Sequence, residues 1–420
     1  MNPTRRSFLK NTAGAASAAS LARPVHAAGS DILRVGLVGC GGRGTGAAQQ
    51  ALNADPGARL VAMADVFEDR LKLSLEAIKA GSPGKVDVPA KRQFVGFDAY
   101  RDLLASGVDV ILLTTPPHFR PLHLRAAVEA GVHIFAEKPV ATDAPGIRSV
   151  IESCRLAREK KLSLVSGLCL RYFYAFQESI KRIHDGALGE IHTLLANDYR
   201  GSIWMKPRQP DWTDMHWQMR NWYYFTWLSG DFNVEQHVHF LDLCSWAIGA
   251  YPDTALGMGG RHVRTGPEYG NIFDHHSVTY TYASGARLFS NTRQMKACKS
   301  NLSAQVVGSK GEAHFSERRR GVWIKNDQGT WFYEGEANKY YQTEHDELFA
   351  SIRKGTAINN GDYMVKSTLL AIQGRMATYT GQEVSWEQAM NSKEDLSPEA
   401  YAWGPIETPR IAMPGLTKLI

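Results

Sequence analysis

No stretch of the 420-residue chain approaches the roughly 18 consecutive apolar residues that a membrane helix needs, which argues against an integral membrane protein. Cysteine is scarce. Cys40, Cys154, Cys169, Cys244 and Cys298 are odd in number and scattered, with no C-x-x-C pair for zinc or thiol exchange, so ordinary buried thiols are expected. A large excess of one charge is also missing: 48 Lys+Arg stand against 42 Asp+Glu, a formal charge of +6. Residues 1–27 hold Arg5, Arg6, Lys10 and Arg23 and no acid, and removing them leaves 44 against 42. A nucleic-acid partner is therefore not expected. What remains is 44% hydrophobic and 21% charged, the balance of a globular protein, in a chain long enough for two domains.

The basic N-terminus has its own pattern. Thr4-Arg5-Arg6-Ser7-Phe8-Leu9-Lys10 precedes a mild Ala/Ser/Gly run, and Val25-His26-Ala27 offers small residues for cleavage. Residues 1–28 resemble a twin-arginine export signal, which predicts a partner in the twin-arginine machinery and a periplasmic protein that crosses the membrane folded. Free cysteines fit folding in a reducing compartment.

Leu33 to Val38 reads as a strand and runs into Gly39-Cys40-Gly41-Gly42-Arg43-Gly44, a G-x-G-x-x-G sequence. Thr45 to Leu52 reads as a helix of small residues, and Arg59 to Asp65 as a second strand ending in an acid 21 positions after Gly44. Gly39 permits a tight turn, Gly41 a close approach of backbone to pyrophosphate, and Gly44 close helix–strand packing. Asp65 can accept ribose hydroxyls and disfavours a 2′-phosphate. NAD(H) is thus expected ahead of NADP(H), although Arg43 and Arg70 leave room for a phosphate. Val108 to Thr115 and Val132 to Ala136 continue the strand–helix alternation, which predicts a doubly wound parallel sheet over residues 31–160. Ligands of such sheets bind beyond the carboxyl ends of the strands, where Thr115, Pro116, His118, Glu137 and Lys138 fall.

Gly39 to Gly44, Thr115-Pro116-Pro117, Ala130-Gly131-Val132-His133, Glu137-Lys138-Pro139, Glu235 to Asp242 and Gly308-Ser309-Lys310-Gly311 together resemble the glucose–fructose oxidoreductase/inositol dehydrogenase (Gfo/Idh/MocA) family. The resemblance implies a Rossmann domain followed by an α+β domain with an open, mostly antiparallel sheet, here residues 161–390. It implies that Lys138 holds and polarises the reacting sugar oxygen, with Glu137 beside the cofactor. The family's D-x-x-x-H element corresponds to Glu235 and His239, a departure from Asp to Glu. A spacing of four would put these two on one helix face, with His239 as the proton shuttle. Burial can tune a lysine for its role, and a near-neutral histidine suits proton transfer. Glu235, His237 and His239 also suggest a metal, but positions two apart on a helix diverge, so no metal is expected.

Arg171 and Tyr172, at the crossing into the second domain, are candidate cofactor and substrate contacts. Residues 203–227 are dense in aromatics, and sugars present flat C–H faces that stack on such rings. Trp212 and Trp222 with Arg220 and Asn221 are therefore read as framing a glycosyl pocket, with His237 and His275 as further substrate candidates. Ser277–Tyr282, Ala286–Thr292, Asn301–Val307 and Gly321–Lys325 read as successive strands. Residues 391–420 are expected to form an arm lying across a neighbouring subunit of a homo-dimer or homo-tetramer. The expected activity is hydride transfer between a sugar or glycoside hydroxyl and a tightly held nicotinamide cofactor. Redox-assisted glycoside cleavage and a non-catalytic sugar sensor are the alternatives.

Overall fold

Leu33–Val38 forms β1, whose apolar residues are buried on both faces as the central strand of a parallel sheet. The computed structural model describes residues 31–318 and 320–420, so the expected export signal lies outside the described residues. Around β1 are β2 (Ala58–Asp65), β3 (Gln93–Val95), β4 (Val110–Leu113), β5 (His133–Ala136) and β6 (Leu164–Ser166), in the order β3-β2-β1-β4-β5-β6. Strand order reverses beside β1, opening the crevice in which doubly wound sheets bind ligands. Gly39 makes the turn out of β1 at φ +96, and Gly44 lies so close to it that a Cβ would sit 1.9 Å from the Gly39 carbonyl oxygen. The helix Gly42–Ala54 follows, burying Ala47, Ala48, Ala51 and Leu52.

The second sheet holds nine strands among the described residues: β7 (Ile191–Arg200), β8 (Thr254–Gly260), β9 (His275–Thr281), β10 (Arg287–Gln294), β11 (Asn301–Gly308), β12 (Gly311–Phe315), β13 (Trp323–Asn326), β14 (Gly329–Phe332) and β15 (Val384–Ser385). Only β7 and β10 pair in parallel; the other pairings are antiparallel. Alternation along the strands buries Leu194, Ala196, Tyr280, Leu288 and Val306 on one face, in one core with the helices Val238–Ile248 and Gly361–Thr380. The other face points outward and exposes Leu256, Met258 and Phe289.

A division at residue 160 does not follow the packing. β6 completes the parallel sheet beyond that point. The helix Tyr340–Lys354, distant in sequence, packs Leu348, Phe349 and Ile352 into the core under the helix Gly42–Ala54. Residues 33–420 form one compact unit. Tyr401 and Trp403 of the C-terminal arm meet Phe97, which follows β3, in tilted ring contacts at 6.1 and 4.9 Å.

Candidate active site

A cavity of about 570 Å³ opens at the carboxyl end of β1, β2 and β4. Gly39, Gly41, Gly42, Arg43 and Gly44 line it, with Asp65, Arg70, Thr115 and Pro116. A Cβ on Gly41 or Gly42 would meet nothing within 4 Å, so the loop faces open space there. The helix Gly42–Ala54 begins with no side-chain cap and no acid in its first turn. Its first N–H groups and positive dipole end are thus available to an anion, and the residues fit a dinucleotide's pyrophosphate. Asp65 accepts from the Cys40 N–H at 2.6 Å and the Phe67 N–H at 2.8 Å, which fixes the carboxylate against the loop. Burial raises its pKa, against the pull of those two bonds. Thr114, absent from the sequence reading, donates to the carbonyls of Val38 (3.0 Å) and Gly39 (2.6 Å) and ties β4 to the turn.

Arg43 lines the cavity, but its guanidinium is engaged elsewhere. It pairs with Glu137 and donates to Glu344 at 2.7 Å and to Gln50 at 2.7 Å. A cation already answering two carboxylates is poorly placed to draw a 2′-phosphate. Glu137 also accepts from the backbone N–H of Lys138 at 3.1 Å.

Lys138 follows β5. Its Nζ donates to the Glu235 carbonyl at 2.7 Å and to Glu235 Oε1 at 3.0 Å, the two side chains being 13% and 12% exposed. Glu235 and His239 do not share one continuous helix as the spacing predicted. Glu235 ends the short helix Phe232–Glu235, and His239 lies in the first turn of Val238–Ile248. The short helix is set by Asp231, a non-glycine residue at φ +74. Its carboxylate accepts from the N–H groups of Phe232 (2.5 Å) and Phe273 (2.9 Å) and from the Tyr379 hydroxyl (2.5 Å). Such a conformation persists where the surroundings over-determine it, as these bonds do.

Burial, together with the charges of Lys138, Arg200 and Arg43, holds His239 well below the usual imidazole range. Its ring is therefore neutral, and its buried Nδ1 has no hydrogen-bond partner among the described residues. The sequence reading missed a second ion pair nearby, in which Asp198 is buried and Arg200 half-buried. Asp198 and Arg200 end β7 and meet at 2.5 and 3.2 Å. Burial raises the Asp198 pKa, while Arg200 and Lys138 oppose the rise. The two are two positions apart on one strand and so share a face, a spacing the sequence reading did not use.

Several residues expected in the site lie elsewhere. Arg171 donates to both oxygens of Asp242 at 2.8 Å, its guanidinium lies 4.0 Å from the Tyr363 ring centre, and it is not among the residues that line the cavity. Tyr172 is buried and donates to Asn360 at 2.8 Å. His237 is fully buried against Ser290 of β10 at 2.8 Å, with its pKa lowered to about 3, chiefly by burial. His275 sits at the start of β9 against Asp274 at 2.7 Å; it is not among the residues that line the cavity, and neither are Lys138, Glu235 and His239. His118 is buried and shares a 2.7 Å hydrogen bond with the Tyr401 hydroxyl. Arg220 and Trp222 do line the cavity, together with Asp65 and Phe67. Trp212 stacks on His216 at 4.8 Å, and Asn221 is buried with its amide on the Lys206 backbone.

The fold and cleft define a protein of the dinucleotide-binding class. Residues 33–167 match the oxidoreductase family with an NAD-binding Rossmann fold, and residues 176–314 match the GFO/IDH/MocA C-terminal domain; the chain belongs to the GFO/IDH/MocA family. It is 25% identical over 319 residues to the inositol 2-dehydrogenase of Rhizobium meliloti (strain 1021), covering 76% of this chain and 86% of that one. It is 26% identical over 178 residues to the 2,7-anhydro-N-acetylneuraminate hydratase of Escherichia coli (strain K12), a match spanning 42% of this chain and 44% of the hydratase. In structure it is similar to the aldose-aldose oxidoreductase from Caulobacter crescentus, at a TM-score of 0.67 and 19% identity, covering 84% of this chain and 99% of that one. Among the described residues no helix is long and apolar enough to cross a membrane.

Proposed function

We propose that the protein is an exported oxidoreductase that moves a hydride between a hydroxyl-bearing carbon of a sugar or glycoside and a retained NAD. The observation that carries this reading is the Lys138 ammonium held on Glu235, with a neutral His239 in its electrostatic neighbourhood, in a chain whose glycine loop opens on a dinucleotide cleft. NAD, when bound, supplies the hydride acceptor. The glycine loop and helix terminus hold its pyrophosphate, and Asp65 takes the ribose hydroxyls. Lys138 donates to the reacting oxygen, Glu235 keeps that ammonium in place, and His239 takes the hydroxyl proton. Asp65 and the engaged Arg43 support NAD ahead of NADP. The paired Arg5 and Arg6 support periplasmic export through the twin-arginine pathway. Met258, 74% exposed on the outward sheet face, supports a homo-dimer or homo-tetramer built on that face.

The hydratase relative favours a second reading. Transient oxidation of a hydroxyl-bearing carbon acidifies the adjacent C–H; a base would remove that proton, the next C–O bond would break with loss of the aglycone, water would add in its place, and return of the hydride to the carbonyl would leave no reduced nucleotide. One experiment separates the two. The exported protein is purified, its nucleotide is released with acid, and the NADH absorbance is followed as sugars and aryl glycosides are added. Lasting reduction by a sugar supports the oxidoreductase. Aglycone release without lasting NADH supports the elimination route. A protein that neither binds nucleotide nor turns over would refute both and leave a sugar sensor.

A further inference from the structure

The wall of the nucleotide cleft is not built by the Rossmann strands alone. Residues 203–222 leave the end of β7 and bring Trp204, Lys206, Met219, Arg220 and Trp222 to the same cavity as the glycine loop. Arg220 is their point of attachment. It donates to the two oxygens of Asp69 at 2.8 and 2.7 Å, and its guanidinium carbon lies 3.7 Å from the Phe67 ring centre. Phe67 is the residue whose N–H holds Asp65. The segment is therefore latched onto the turn that presents the ribose-binding carboxylate.

A second layer covers the first. Trp403 of the C-terminal arm lies 5.5 Å from Phe67, 4.9 Å from Phe97 and 5.3 Å from His216. The Met215 N–H donates to the Gly404 carbonyl at 3.1 Å, and the Gln218 amide donates to the Ile406 carbonyl at 3.3 Å. The helix Asp214–Arg220 is thus held between the Rossmann half and the arm. An ion pair with an exposed partner is a weak latch, and Asp69 is 54% exposed. The aromatic layer, with Arg220 stacked on Phe67, supplies what that pair lacks.

We propose that residues 203–222 complete the adenosine half of the nucleotide site as a strap, that the arm around Trp403 fastens it, and that the nucleotide leaves only when the Arg220–Asp69 and Trp403 contacts open. The inference rests on the NAD-dependent reading and adds the elements that retain the cofactor.

The test uses the full chain loaded with NADH and freed of excess by desalting. Release is followed as loss of tryptophan-to-NADH energy transfer after mixing with a large excess of NAD. Three variants are compared with the parent: Arg220→Gln, Asp69→Asn, which breaks the latch from the Rossmann side, and Trp403→Ala, which removes a ring that is 45% exposed. Arg220→Gln and Trp403→Ala, which lose an aromatic contact, are expected to release NADH about tenfold faster, and Asp69→Asn, which loses only the exposed ion pair, up to about fivefold faster. Unliganded thermal midpoints close to the parent's would place the effect on retention rather than folding. Equal release rates in all four proteins would overturn the strap while leaving the dehydrogenase reading intact. A parent that takes up no NADH at all would overturn both.

Discussion

Two glycines three positions apart make opposite predictions. A Cβ on Gly41 meets nothing within 4 Å, and its backbone, at φ −74 and ψ −177, is extended, so alanine fits without strain. Gly41→Ala should leave the stability of the unliganded protein within about 0.5 kcal/mol. The new methyl would nonetheless stand in the space kept for the pyrophosphate and should weaken NADH binding at least tenfold, about 1.4 kcal/mol. At Gly44 the same methyl would lie 1.9 Å from the Gly39 carbonyl oxygen and 2.6 Å from Thr114 Oγ1. The carbonyl is backbone and cannot swing aside. Alanine's advantage in a helix, up to about 1 kcal/mol, is set against an overpacking cost of about 1–3 kcal/mol. Gly44→Ala should therefore destabilise the unliganded protein by about 1–2 kcal/mol and distort the turn. Thermal unfolding without ligand, followed by fluorescence titration with NADH, separates the cases. A Gly41→Ala protein of unchanged affinity beside a Gly44→Ala protein of unchanged stability would refute the assignment of the cleft.

Three further outcomes are expected. Lys138→Met should lower turnover by about 10²-fold or more while NADH affinity stays near the parent value; comparable turnover would remove Lys138 from the chemistry. Arg171→Met leaves the buried Asp242 carboxylate with the Ser367 hydroxyl but without its cation and should cost about 3 kcal/mol of stability, with little change in NADH affinity, since Arg171 is not among the residues that line the cavity. The pH dependence has a definite sign. Burial lowers the His118 pKa from 6.5 to about 4, so the fold keeps it neutral whereas the unfolded chain takes up a proton near 6.5. Its contribution is present above that pH and is lost as pH falls towards 4, up to about 3 kcal/mol. Thermal midpoints measured between pH 7 and pH 4.5 should therefore decline less in His118→Gln than in the parent.

The dinucleotide cleft was legible in the sequence because its signals are local. Strand, glycines, helix, strand and Asp65 fall within one short stretch, and each answers a backbone requirement. The pairings that engage Arg171, His118 and Arg43 are not local: their partners Asp242, Tyr401 and Glu344 lie 71, 283 and 301 positions away. A motif reader sees an arginine beside a crossing strand, but not the acid that claims it. The break between Glu235 and His239 was hidden for another reason. Periodicity describes a continuous helix, whereas Asp231 holds a glycine-like conformation through bonds to Tyr379 and Phe273 that only the folded chain supplies. The aromatic density of residues 203–227 was legible, but its destination was not. Composition gave stacking surfaces without saying that they would close over the nucleotide.

The helix Tyr340–Lys354 covers the first sheet's own helix although it is made late in synthesis. A ribosome releasing this chain would have all six parallel strands in hand by residue 166 and still lack the piece that seals their apolar flank. The N-terminal half therefore has no finished state of its own to wait in, and cutting after β6 should yield an aggregation-prone fragment rather than a small dinucleotide-binding protein. The order in which the molecule is built and the order in which it can close are different, and any nucleotide taken up securely arrives after the last turn of that helix.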